Sequence, residues 1–74
     1  MSETLTVGER IRRLRRTKGW PQVELAAEVG VTRPTIARWE TDAQMPLVTH
    51  LFDLARALGV SMDYVLTGQR ESRP

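Results

Sequence analysis

The sequence predicts an all-α domain of five short helices, and three observations predict it. Apolar residues recur at three- and four-residue intervals, with no alternating stretch that would suit a strand. Each such interval ends at a glycine or a turn-forming residue: Gly19, Gly30, Asp42, Gly59 and Gly68. The 74 residues are 41% apolar and contain no cysteine. Such a chain holds one core, which helices must close without disulfides or a thiolate metal site.

The elements follow in order. Residues 1–5 carry no periodicity and are expected to form a flexible arm. Thr6 can cap a first helix that runs to about Lys18, and Glu9 three residues on completes a capping box. Val7, Ile11 and Leu14 place that helix's apolar stripe on the core. A second, short helix is expected from Gln22 to Val29. Pro21 at its entry offers no capping oxygen. Gly30 suits the left-handed position after the helix. Thr32 caps a third helix, whose first turn tolerates Pro34 because its N–H groups have no intrahelical partner. Val31 and Ile36 are spaced as a hydrophobic staple. Thr41 to Leu47 reads as a loop. Leu51, Leu54, Ala55 and Leu58 define a fourth helix, and Ser61 caps a short fifth over Met62 to Leu66. The domain is expected over residues 6–68, with residues 69–74 as a flexible tail. The predicted core is Val7, Ile11, Leu14, Leu25, Ala26, Val29, Val31, Ile36, Trp39, Leu51, Leu54, Ala55, Leu58, Val65 and Leu66. Ala26 is small where the second and third helices must cross closely.

Net charge is only +2, but it is unevenly spread. Residues 1–38 hold eight basic and four acidic side chains, whereas residues 39–74 hold three basic and five acidic. A basic half of this kind suits a face turned toward a polyanion. The run of arginines on the first helix is no single patch, since at 100° per residue it winds around the axis. The segment QVELAAEVGVTRPTIARWE, Gln22 to Glu40, gives the charge a direction. Two short helices meet at a tight glycine turn. The second is pinned from behind by Ile36 and Trp39 and exposes Thr32, Arg33, Pro34, Ala37 and Arg38. Such a helix is suited to reading the major groove of DNA.

With its flanking segments GERIRRLRRTKGW and LARALGVSMDYVLTG, this stretch resembles the helix-turn-helix family of phage repressors, Cro proteins and Xre-like bacterial regulators. The resemblance runs from about Val7 to Gly68. It implies a five-helix lambda-repressor-like domain, with the helix-turn-helix at the second and third helices. It also implies a dimer on a two-fold double-stranded DNA operator. Carried over by position, Thr32, Arg33, Pro34, Ala37 and Arg38 would read bases. Gln22 and Thr35 match positions that touch phosphate, and Thr41 and Arg10 are further expected phosphate contacts. Arg15 and Glu40 match a pair that ties the first helix to the end of the third. Met62, Val65 and Leu66 are the expected dimer contacts. Three positions depart from the family pattern: Pro21, where a capping Ser, Thr or Asn is usual; Thr41-Asp42, where a glycine turn is frequent; and Leu47, where Ser or Thr often opens the fourth helix.

The residue types fit this chemistry. Arginine donates two parallel hydrogen bonds to guanine O6 and N7, and proline or alanine can meet thymine methyl groups. No nucleophile elbow, phosphate loop or zinc spacing appears, and His50 stands alone, so no enzyme or cofactor is expected. No apolar run is long enough to span a membrane, and residues 1–10 lack a secretion signal's layout. A bacterial or phage-encoded cytoplasmic repressor is the expectation. Two alternatives stay open: an antitoxin-like module that neutralises a protein partner, and a scaffold that has lost DNA binding. Arginines on the third helix weigh against the scaffold.

Overall fold

A computed structural model describes residues 4–69. The remainder of the expected arm and tail lies outside the described residues. Five helices follow in order: α1 (Val7–Thr17), α2 (Gln22–Val29), α3 (Arg33–Glu40), α4 (Val48–Leu58) and α5 (Met62–Thr67). Among the described residues there is no strand. Helix α1 packs on α3 and α5, α2 packs on α3 and α4, and α4 packs on α5. Ile11, Leu25, Ile36, Leu54 and Val65 are fully enclosed at the centre, with Trp39 beside them. Val7, Leu14, Val31 and Met62 close the edges half-buried.

Helix entries follow local chemistry. Thr6 Oγ1 accepts from Glu9 N at 3.1 Å, and Glu9 Oε1 accepts from Thr6 N at 2.9 Å, forming the capping box. Thr32 and Ser61 accept from the backbone N–H three residues on. Pro21 and Leu47 make no side-chain cap. At α2 the Pro21 carbonyl still accepts from Glu24 N and Leu25 N, so the first turn forms without one.

Asp42 supplies what glycine would have supplied after α3, and adds a contact glycine lacks. Its φ is +63°, a left-handed geometry that an Asp tolerates better than most side chains. From that position Oδ1 accepts from Gly8 N at 3.0 Å and Oδ2 accepts from Thr6 Oγ1 at 2.6 Å. The turn after α3 therefore caps the start of α1, where the helix dipole favours a carboxylate. Gly8 makes this docking possible. A Cβ there would collide with the Trp39 carbonyl and stand 2.7 Å from that of Glu40.

One core expectation fails. Leu66 is 38% exposed, whereas Val65 is completely buried. Consecutive residues on a helix point about 100° apart. A six-residue helix seated on α1 and α4 with one face buries one of the two, and Met62 shares the Val65 face.

Candidate nucleic-acid interface

Helix α3 divides its side chains by direction. Ile36, Trp39 and Glu40 are buried, while Thr32, Arg33, Pro34 and Arg38 are exposed and Ala37 is half-buried. The five side chains expected to read bases thus lie off the buried stripe, with both guanidinium groups at the surface. Thr32 Oγ1 caps the helix and shares a 2.9 Å hydrogen bond with Thr35 Oγ1. Arg38 donates through Nη2 to Thr35 Oγ1 at 3.3 Å and through Nε to Gln44 Oε1 at 3.1 Å. Thr41 Oγ1 gives its hydrogen back to the helix, at the carbonyls of Ala37 and Arg38. A phosphate reaching Thr41 would have to compete for that hydrogen.

Behind the exposed face lies a buried polar cluster. Arg15 donates through Nε to Glu40 Oε2 at 2.6 Å and through Nη2 to Glu40 Oε1 at 3.1 Å. The pair is bidentate, the geometry in which arginine and carboxylate bind best. Arg15 Nη1 also donates to the Trp20 carbonyl at 2.7 Å, so all three guanidinium nitrogens have acceptors. The side chains of Arg15 and Glu40 are only 9% and 2% exposed. Gln22 joins them: its Nε2 donates to Glu40 Oε1 at 3.0 Å, and its Oε1 accepts from Arg33 Nη1 at 3.1 Å. Among the described residues no buried side-chain polar atom lacks a partner.

Arg10 does not belong to this face. It was expected to touch phosphate, but it is 6% exposed and turned toward Leu5 and α5. Its Nη1 donates to the Val65 carbonyl and its Nη2 to the Leu5 carbonyl, both at 2.8 Å. The guanidinium thus satisfies one of the open carbonyls at the C-terminus of α5. Helix geometry accounts for the correction. Arg10 falls about 40° from Leu14 around α1, on the buried flank. Arg12, about 60° from Arg15, falls on the interface side. It is exposed and lines a cleft of about 400 Å³ with Arg15, Gln22, Glu40 and Thr41. Residue spacing relative to Arg15 was the signal that could have singled it out.

The expected dimer contacts are corrected in part. Val65 is completely buried within its own chain and has no surface to offer a second copy. Met62 is half-buried and Leu66 exposed. Among the described residues no cluster of three or more His, Cys, Asp or Glu could hold a metal, and no helix is long and apolar enough to cross a membrane.

Comparison with known proteins bears on this face. Residues 11–65 match the family model described as helix-turn-helix. The chain is 38% identical over 66 residues to an uncharacterized HTH-type transcriptional regulator of Sinorhizobium fredii, y4dJ, covering 89% of this chain and 86% of that one. It is 30% identical over 73 residues to the HTH-type transcriptional regulator DicA of Escherichia coli, covering 99% of this chain and 54% of DicA. The chain spans about half the length of several curated relatives it matches. The crystal structure of the Salmonella phage P22 c2 repressor with a synthetic operator superposes with a TM-score of 0.86 at 38% identity. That match covers 89% of this chain and all of that one. With five helices, a glycine turn after α2 and an exposed face on α3, this chain belongs to the helix-turn-helix family of phage-repressor and Xre-like regulators.

Proposed function

We propose that this chain is a sequence-specific double-stranded DNA-binding transcriptional regulator, acting as a repressor in the cytoplasm without catalysis of its own. The observation that carries the reading is the division of α3. Its apolar side is locked into the core, and two exposed arginines flank Pro34 and Ala37 on the other side. A helix held this rigidly can present guanidinium groups to base edges without first ordering itself. Thr32, Arg33, Pro34, Ala37 and Arg38 read bases. Arg12, Thr35 and Thr41 lie where phosphates flank the groove, with Arg12 taking the place expected of Arg10. Two copies bind successive major grooves about 34 Å apart on a pseudo-palindromic operator. Met62 and Leu66 are the remaining candidates for contact between the copies. The relatives' names and the operator-bound neighbour support this reading.

Selection of bound duplexes from a random pool tests it, since the recovered sites report symmetry and half-site spacing together. Arg33→Ala is expected to cost about 1–3 kcal/mol of binding and to relax preference at one base pair. Affinity should fall steeply between low and moderate salt. Failure to enrich any sequence, with no duplex bound at low salt, sinks the proposal.

A further inference from the structure

Arg38 carries two side-chain hydrogen bonds through its guanidinium, and one of them comes from outside the helix. The chain leaves α3 in a Schellman turn. Around the left-handed backbone of Asp42, Asp42 N donates to the Trp39 carbonyl at 3.1 Å and Ala43 N to the Arg38 carbonyl at 2.9 Å. Gln44 follows, and its own N–H reaches the Arg38 carbonyl at 3.2 Å. The backbone of Gln44 is thus tied to the backbone of Arg38. Its side chain closes a ring, because Gln44 Oε1 accepts from Arg38 Nε at 3.1 Å. A guanidinium only donates, so the amide oxygen is the end that faces it.

The two bonds divide the guanidinium. Nε donates to Gln44, and Nη2 donates to Thr35 Oγ1 at 3.3 Å. Arg15 engages Glu40 through the same two nitrogens, which form the side edge of the group. In Arg38 the protein itself occupies both of them. Among the described residues Nη1 has no acceptor and Nη2 keeps one hydrogen, so the end of the group remains for guanine O6 and N7. We propose that Gln44 is a positioning residue for Arg38: from the loop after α3 it fixes which edge of the guanidinium meets the base, and so sharpens preference at that base pair without touching it. This rests on the DNA-binding reading above. A long exposed side chain samples many rotamers, and holding it before binding removes part of the ordering cost on association. The Thr35 bond alone leaves the guanidinium free to turn about one point, and the Gln44 bond fixes its plane. Gln44 is exposed and lies outside α3, so replacing it leaves the packing of that helix on the core intact.

The test measures relative affinities for duplexes that differ from the selected site at one base pair at a time. Arg38→Ala identifies the pair that Arg38 reads, as the one whose preference it relaxes. Gln44→Leu keeps most of the side-chain bulk and removes the acceptor. It is expected to lower discrimination at that pair by about three- to tenfold and to leave the other positions unchanged. In an Arg38→Ala background it should lower it no further. Gln44→Glu keeps an acceptor in the same place. Discrimination at that pair should therefore be retained, while the added negative charge weakens every duplex alike. Thermal unfolding of each variant accompanies the measurement, so that affinities are compared on folded protein. Equal weakening of every duplex by Gln44→Leu would mark Gln44 as a phosphate contact and overturn the proposal, and no change at all would overturn it as well. A loss at one pair that persists in the Arg38→Ala background would make Gln44 a base reader in its own right, against the proposal. Loss of discrimination with Gln44→Glu as large as with Gln44→Leu also counts against it, as does an Arg38→Ala protein that keeps every preference of the parent. Absence of any discrimination in the parent protein would instead bring down the DNA-binding reading itself.

Discussion

Helices α1 to α3 add directional polar contacts to their apolar packing, whereas α4 and α5 close over the core almost entirely with apolar side chains. On one side stand Arg15–Glu40, the Gln22 bridge, and Asp42 capping the start of α1. On the other stand Leu51, Leu54, Ala55, Leu58 and Val65, joined to α1 by the buried guanidinium of Arg10. The difference has a physical sense. Apolar burial is strong but non-directional, and it tolerates small shifts of one helix over another. Charge-assisted hydrogen bonds are specific to distance and angle. The half that presents α3 to a ligand is the half whose geometry is held by such bonds. The cost is that its contacts fail abruptly when one partner is removed.

Three single substitutions and one double variant probe that contrast, the single ones in decreasing order of expected effect. Glu40→Ala leaves Arg15 buried beside an empty site and is expected to cost about 3–5 kcal/mol in urea unfolding. Replacing both members together, Arg15→Met with Glu40→Leu, should return stability to about the parent value, because apolar packing substitutes well for a buried ion pair. Gly8→Ala comes next. The added methyl meets the Trp39 and Glu40 carbonyls, which are backbone and cannot swing aside, so a cost of about 1–3 kcal/mol is expected by chemical denaturation. A negligible cost would mean that α1 can slide on α3 and that their contact is not rigid. Phe52→Ser is the smallest. Phe52 is 57% exposed on α4 and touches the Arg56 guanidinium from outside. Its replacement should change the melting free energy by no more than about 0.5 kcal/mol. A larger loss would show that the apolar half depends on more than its buried layer.

Much of the fold was legible because local signals agree with one another. Thr6 with Glu9, Thr32 before Pro34, Gly30 and Gly59 mark helix ends through chemistry that acts within a few residues. The stripe of Ile11 and Leu14, and that of Leu51, Leu54 and Leu58, sets which faces turn inward. Residues facing outward on α3 were legible for the same reason, as the complement of Ile36 and Trp39. The failures share a cause too. Arg10 and Leu66 sit at the edges of their stripes, where composition does not say whether a side chain finds a partner inside or water outside. Arg10 found two carbonyls, one 55 positions away at Val65 and one five positions away at Leu5, ahead of α1.

By itself, then, the sequence determined the five helices, their ends, the inward faces and the exposed arginines of α3, because capping and periodicity are short-range. Only the tertiary structure decided what the polar side chains do. It sent Arg10 to the end of α5 and put Arg12 beside the Arg15–Glu40 pair and Thr41. It turned Asp42 back onto α1 and tied Gln22 between Glu40 and Arg33. These outcomes depend on which donors and acceptors converge when the helices pack. Those meetings join residues up to 55 positions apart, beyond the reach of any local pattern.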